Sequence, residues 1–177
     1  MTDVRVVDDL QLSEAAYWDT IFLDDAFNRR LFLERLHFSE YRVKSQETVG
    51  DEIRRVLVAA PPMGELPGPL KKLIGESVSY EERGVFNKTK RRYEFSVVPG
   101  RLADKVTIEG SLHFEPLSEN SCRRIFEATI TARIMIVGSL LEKKIASDLE
   151  RSQKAAARFT NEHAKELAAK SAANSGA

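Results

Sequence analysis

Two alternating stretches dominate the pattern of apolar and polar positions. Val106, Ile108, Gly110, Leu112 and Phe114 alternate with Lys105, Thr107, Glu109, Ser111, His113 and Glu115. Phe126, Ala128, Ile130, Ala132, Ile134 and Ile136 then alternate with Glu127, Thr129, Thr131 and Arg133. Period two predicts strands with one dry and one wet face. Ser118-Glu119-Asn120 is the turn between them. Upstream, Tyr41 and Val43 alternate with Arg42 and Lys44, Val49-Gly50-Asp51-Glu52 turns the chain, and Ile53 to Ala60 returns it, which reads as a hairpin. Val78 and Tyr80 open a further strand, turned at Asn87-Lys88 into Tyr93, Phe95 and Val97, and broken at Pro99-Gly100. Val4, Val6 and Val7 predict a short first strand.

Helical spacing appears at both ends. Ser13 is a candidate N-cap for a helix through Tyr17, Trp18, Ile21 and Phe22. Asp24 or Asp25 caps a second helix carrying Phe27, Leu31, Phe32 and Leu36. After Gly138, with Ser139 as cap, the chain has no Pro or Gly through Lys170. Leu141, Ile145, Leu149, Ala156 and Phe159 lie near one face of that stretch. A helix of ~30 residues would be ~45 Å long, and only a whole sheet offers a partner that size. The predicted fold is α+β, in the order β-α-α-β6-α: a curved seven-stranded antiparallel sheet around a long C-terminal helix. Residues 1–167 form one domain, and the Ala- and Ser-rich segment 168–177 is expected to fray.

Composition narrows the function classes. Lys plus Arg and Asp plus Glu each number 27, so the net charge is zero, without the basic excess of a nucleic-acid binder. The one cysteine, Cys122, forms no intrachain disulfide and suits a reducing compartment. No signal-peptide pattern and no spanning-length apolar run is present, so a cytoplasmic protein is expected. His37, His113 and His163 fall on separate elements without ligand spacing, so no metal is predicted. Gly-rich phosphate loops and nucleophile elbows are absent, and no cofactor or catalytic residue is assigned. Arg54-Arg55 and the Lys88–Arg92 cluster read as solvated hairpin turns.

The remaining candidates concern the dry face. Tyr41, Tyr80 and Tyr93 fall in the apolar register of their strands, and Arg124 shares register with Phe126. Within an apolar cavity such groups orient the polar end of a ligand; the plainer alternative is tyrosine rings that belong to the core with hydroxyls reaching water, and an arginine beyond the sheet rim. Gly110, Ala128 and Ala132 are small and leave room under the helix, which is either a cavity floor or space that bulky residues such as Phe159 fill to close packing. Between two strands, Ala59 to Gly75 holds four prolines together with Met63, Leu66, Leu70, Leu73 and Ile74. A connection this apolar is seldom an idle linker. It reads either as a lid over the cavity mouth or as a short helix tucked onto the sheet edge; a further reading is transient bilayer contact, with apolar tips inserted and Lys71 and Lys72 near lipid headgroups.

Leu66-Pro67-Gly68-Pro69-Leu70-Lys71-Lys72-Leu73-Ile74-Gly75, followed by Val78-Ser79-Tyr80-Glu81-Glu82, and the junction Ile134-Met135-Ile136-Val137-Gly138-Ser139-Leu140-Leu141-Glu142 carry a resemblance. With the element order, they resemble the START-like (SRPBCC, helix-grip) superfamily, especially uncharacterised bacterial families with a V-G-x-x-x-E helix entry and the VASt sterol-binding domain. The resemblance spans about residues 3–165. It implies a hydrophobic cavity for a lipid- or sterol-like molecule. The walls would be Tyr41, Tyr80, Tyr93, Phe95, Ile108, Gly110 and Leu112, with Arg124, Phe126, Ala128, Ile130, Ala132, Leu149 and Phe159. Non-catalytic binding or transfer is the first expectation. A cyclase- or hydrolase-type enzyme in the same cavity, with Glu82 and His113 as its candidate groups, is the second. A protein-interaction module with a filled core is the third.

Overall fold

The computed structural model describes residues 1–75 and 78–175. Among them, seven strands form one antiparallel sheet: β1 Thr2–Leu10, β2 Glu40–Val49, β3 Glu52–Ala60, β4 Tyr80–Asn87, β5 Arg92–Pro99, β6 Val106–Ser118 and β7 Ser121–Ala132. Their order is β1-β7-β6-β5-β4-β3-β2. Strands β2 to β7 are a meander of hairpins, and β1 closes on the last of them, Val4 opposite Ala128 and Val6 opposite Phe126. A bulge between Val43 and Ser45 interrupts the β2–β3 ladder. The predicted α+β helix-grip fold is the observed one.

Helix α1 begins at Glu14–Tyr17 and continues in wider π-type turns over Trp18–Phe22. Ser13 caps it, its side chain accepting from the Ala16 amide at 3.2 Å. Helix α2, Asp25–Arg29, continues in the same way over Arg30–Arg35, and Asp24 accepts from the Phe27 amide at 2.6 Å. Between β3 and β4 lies α3, Gly68–Ile74. It starts with Pro69 in its first turn, where a missing N–H costs nothing.

The last strand is shorter than its alternation suggests. β7 stops at Ala132, so Ile134 lies beyond the sheet, half-buried, and Ile136 is 99% exposed rather than inward-facing. The chain must reverse there to lay α4, Gly138–Ser175, back against the sheet. Gly138 lies against the Ala132 carbonyl, where a Cβ would come within 2.6 Å of the oxygen. Four residues on, Glu142 turns back and accepts from the Ala132 amide at 2.8 Å. The glycine and the acid of the junction motif thus clasp one residue.

α4 runs through the Ala- and Ser-rich segment expected to fray, as far as Ser175; Gly176 and Ala177 lie outside the described residues. Ala and Lys favour helix, and no Gly or Pro interrupts them before Gly176. The helix does not cover the whole sheet. It rests chiefly on β1 and β7, with its later turns beside the second half of α2. The inner face of β3 to β5 is left to Trp18 and Phe22 of α1 and to the segment carrying α3. Trp18 stacks on Phe86 at 4.3 Å and Phe22 meets Tyr93 edge-on at 4.7 Å.

Candidate functional site

The register brings Arg55, Gly84, Phe95, Gly110, Ala128 and Val4 into one row across the inner face. Both glycines of that row are seats for neighbouring rings. Tyr93, one row away, leans over Gly84, so that any Cβ there would overlap its ring. Phe95 leans over Gly110, its Cζ 2.6 Å from where a Cβ would be, and stacks on Phe126 at 5.6 Å. The room that small residues predict at Gly110 is therefore taken by Phe95.

The lean of Tyr93 carries its hydroxyl across the sheet to Glu82, where it donates to a carboxyl oxygen at 2.6 Å. Beside this pair lies Arg55, only 7% exposed. Its guanidinium sits over the Phe22 ring at 4.7 Å and near the Tyr93 ring at 5.5 Å. Nη1 donates to the Phe22 carbonyl at 3.2 Å. Nε has no hydrogen-bond partner, although Tyr93 and Glu82 lie close enough to act on the charge. Burial alone would lower the pKa of Arg55, but the neighbouring Tyr93 and Glu82 outweigh it and hold the group above its ordinary value. Burial, with Glu82 next, pushes the Tyr93 phenol well above its ordinary value. The cluster at neutral pH is a cation, a protonated phenol and the carboxyl group that it serves. A buried charge is stable only when hydrogen bonds and rings surround it.

Several inward-facing residues are only half-buried. Glu82, Phe95 and Val97 on the sheet, and Ile145 and Leu149 on α4, are half-buried although they face inward or pack against the core. Ile108, Leu112, Phe126, Ala128 and Ile130 are buried, and Ala132 is half-buried at the end of β7. In the segment 61–75, Leu70 and Ile74 are buried, while Met63, Leu66 and Leu73 pack partly against the core. Met63, Gly64, Glu65, Leu66, Lys71 and Gly75 border a solvent-open hollow of about 560 Å³. Arg101 ties this segment down by donating to the Ile74 carbonyl at 3.2 Å.

Other predicted residues lie apart from the cluster. Tyr41 is buried in a satellite core with Leu57 and Ala59, its ring stacked on Phe32 at 4.5 Å, and half-buried Tyr80 packs beside it. Burial raises the pKa of both phenols. Arg124, buried, donates to Gln153 of α4, and its Nη1 has no partner. Phe159 packs on Phe27 at 5.1 Å and lies under Arg30 and Arg35, beneath α2. His113 is in the outward register of β6, its Nδ1 3.2 Å from Arg92, and so does not join Glu82. Among the described residues no three His, Cys, Asp or Glu side chains converge as a metal site would require.

Arg55 is the residue that the sequence reading misplaced, as part of a solvated turn. Its alternation with Ile53, Leu57 and Ala59 is the signal for an inward position, and Arg54 alone is the exposed member of that pair, bonded to Glu52 at 3.0 Å.

A family model described as a protein of unknown function (DUF2505) matches residues 13–163. The chain belongs to that family. No curated protein is a significant sequence match. Among solved structures, the fold is shared with the Zhui aromatase/cyclase from Streptomyces sp. R1128, at 10% identity, TM-score 0.66 and 93% coverage of each chain. It is shared with norcoclaurine synthase from Thalictrum flavum, at 15% identity and TM-score 0.62, covering 89% of this chain and 85% of that one. A START superfamily protein from Mycobacterium smegmatis matches at 11% identity and TM-score 0.57, covering 86% and 92%. These likenesses make the DUF2505 chain a START-like domain in fold. No helix among its described residues is long and apolar enough to cross a membrane.

Proposed function

We propose that the chain binds a hydrophobic small molecule with one polar end, without transforming it. The apolar part would lie between the inner face of β4–β5, the Ile145–Leu149 face of α4 and the segment 61–75. The polar end would meet Arg55, Tyr93 and Glu82. The observation that carries this reading is the buried guanidinium of Arg55, ringed by aromatics, with one N–H left without a partner. A buried, unsatisfied donor costs about 1–3 kcal/mol, and a ligand carboxylate, hydroxyl or carbonyl would recover it. Apolar burial adds roughly 25 cal/mol per Å² removed from water.

An enzymatic reading draws on the Tyr93–Glu82 pair, since two titratable groups converge. Efficient proton transfer needs a pKa near the working pH. The raised Tyr93 phenol moves away from that range, which favours a hydrogen-bond donor for binding over an acid or base.

The test is uptake of fluorescent fatty-acid and sterol probes, with native mass spectrometry of the purified protein. Uptake that Arg55→Met and Tyr93→Phe weaken at unchanged melting temperature supports the reading. No uptake of any probe and no co-purifying mass would overturn it. Turnover abolished by Tyr93→Phe would favour the enzyme instead.

A further inference from the structure

The sheet register collects three loops at one end of the molecule. Ala59 pairs with Tyr80, Tyr80 with Pro99, and Val106 with Ala132. The segments 61–75 and 78–79, the loop 100–105 and the turn 133–137 therefore emerge side by side. The turn 133–137 is unlike the rest of the surface. Met135 is 89% exposed and Ile136 99%, and Leu140 on the first turn of α4 extends the patch at 41%. Ile136 sits at φ 70°, the left-handed region. That conformation is costly for a β-branched residue and persists only where the surroundings impose it. Two short main-chain bonds impose it here: Val137 N–H to the Met135 carbonyl at 2.8 Å, and Gly138 N–H to the Ile134 carbonyl at 2.9 Å. The turn is fixed with two large apolar side chains in water.

Among the described residues, the charge around the tip has one sign in excess. Arg133 pairs with Lys105 through the backbone at 2.7 Å, and both side chains are exposed, as are Arg101 and Lys143. Lys71 and Lys72 lie on the outer side of α3, whose apolar residues Leu70 and Ile74 turn inward. Among the described residues the exposed carboxyl groups at this end are Asp3, Glu65 and Asp104, joined by half-buried Glu40; Asp3 is held by Thr129 at 2.8 Å and Glu40 by Arg42 at 2.9 Å. Glu142 is buried and taken by Ala132, Thr2 and the Met1 ammonium.

We propose that the Met135–Ile136 turn inserts into the surface of a bilayer containing anionic lipid, with Lys105, Arg133 and Lys143 meeting the headgroups. Apolar side chains supply insertion and each nearby cation adds attraction to anionic lipid. This assigns membrane contact to the β7–α4 turn and not to the apolar side chains of 61–75. It does not rest on the ligand reading: a protein that takes up no probe would still bind vesicles, and one that binds no vesicles would still take up probe from solution.

The experiment is flotation with vesicles of phosphatidylcholine alone and of phosphatidylcholine with phosphatidylserine. The expected result is binding to the anionic vesicles, weakened by salt. Ile136→Gly is the decisive variant. It removes the apolar tip while suiting the positive φ, so its melting temperature should hold or rise. Its vesicle binding should fall by about tenfold, as expected for losing one buried apolar side chain. Lys105→Glu with Arg133→Glu should abolish the preference for anionic vesicles. No flotation with either vesicle, equal flotation of Ile136→Gly, or equal binding to both vesicles would overturn the proposal. A dimer in sedimentation velocity that Ile136→Gly dissolves would overturn it too, assigning the tip to a second copy.

Discussion

The ring of Tyr93 occupies the space that a side chain at Gly84 would need. The hydrogen bond from Tyr93 to Glu82 depends on that absence, because only by lying across Gly84 does the hydroxyl reach Glu82, two rows on. Gly84→Ala should displace the ring, destabilise the protein by about 1–3 kcal/mol as overpacking does, and weaken probe uptake. Tyr93→Phe keeps the ring and should lose much less stability. Urea unfolding of both variants, with probe titration, checks the pair; equal stability of Gly84→Ala and the parent would contradict it.

Glu142 should make stability acid-sensitive. The Met1 ammonium first, then the Ala132 amide, hold its carboxyl below the ordinary value. A depressed folded-state pKa contributes stability that is present above the unfolded value of about 4.3 and is lost as pH falls through the folded one. Glu142→Gln should therefore cost about 1–2 kcal/mol at neutral pH and flatten the fall in stability below that value. Urea midpoints measured from neutral to acid pH decide this. Parallel curves for parent and variant would be the contrary result.

The tyrosines give the opposite sign. Burial raises Tyr41, Tyr80 and Tyr93, so the contribution from their neutral phenols is full below about pH 10 and is lost as pH rises through the folded values. At a pH just above 10 the native protein should show far less tyrosinate absorbance than the same protein in denaturant. Matching absorbance in the folded state would show these phenols to be open to solvent.

Cys122 should be inert. It is fully buried, and burial, with Glu14 and Asp9, pushes its thiol up to about 11. Reaction with a disulfide reagent at mildly alkaline pH should follow global unfolding and accelerate in urea in step with the loss of structure. Rapid labelling of the native protein would refute this.

The strands and most of their inward register were legible in the sequence because alternation has a period of two. Gly110, Ala128 and Ile130 fall in register as read. Three things were not legible. The lean of Tyr93 and Phe95 over glycines is a rotamer choice that alternation does not encode, so small residues suggested space that rings fill. Arg55 followed the apolar register, but a charged residue beside a turn ordinarily belongs to solvent, and only the rings of Phe22 and Tyr93 explain its burial. The exposed Ile136 has a similar cause: its alternation continues past Ala132, where the ladder has already ended.

The pairing of β1 with β7 joins Thr2 to Ile130 and Leu10 to Cys122. Every other ladder links neighbours in sequence. Non-local pairing is slow, so the β2–β7 meander should assemble early and wait for its two outer pieces. Until α4 leaves the ribosome and docks, the inner faces of β1 and β7 have no cover, and a nascent chain is most prone to aggregate in that interval.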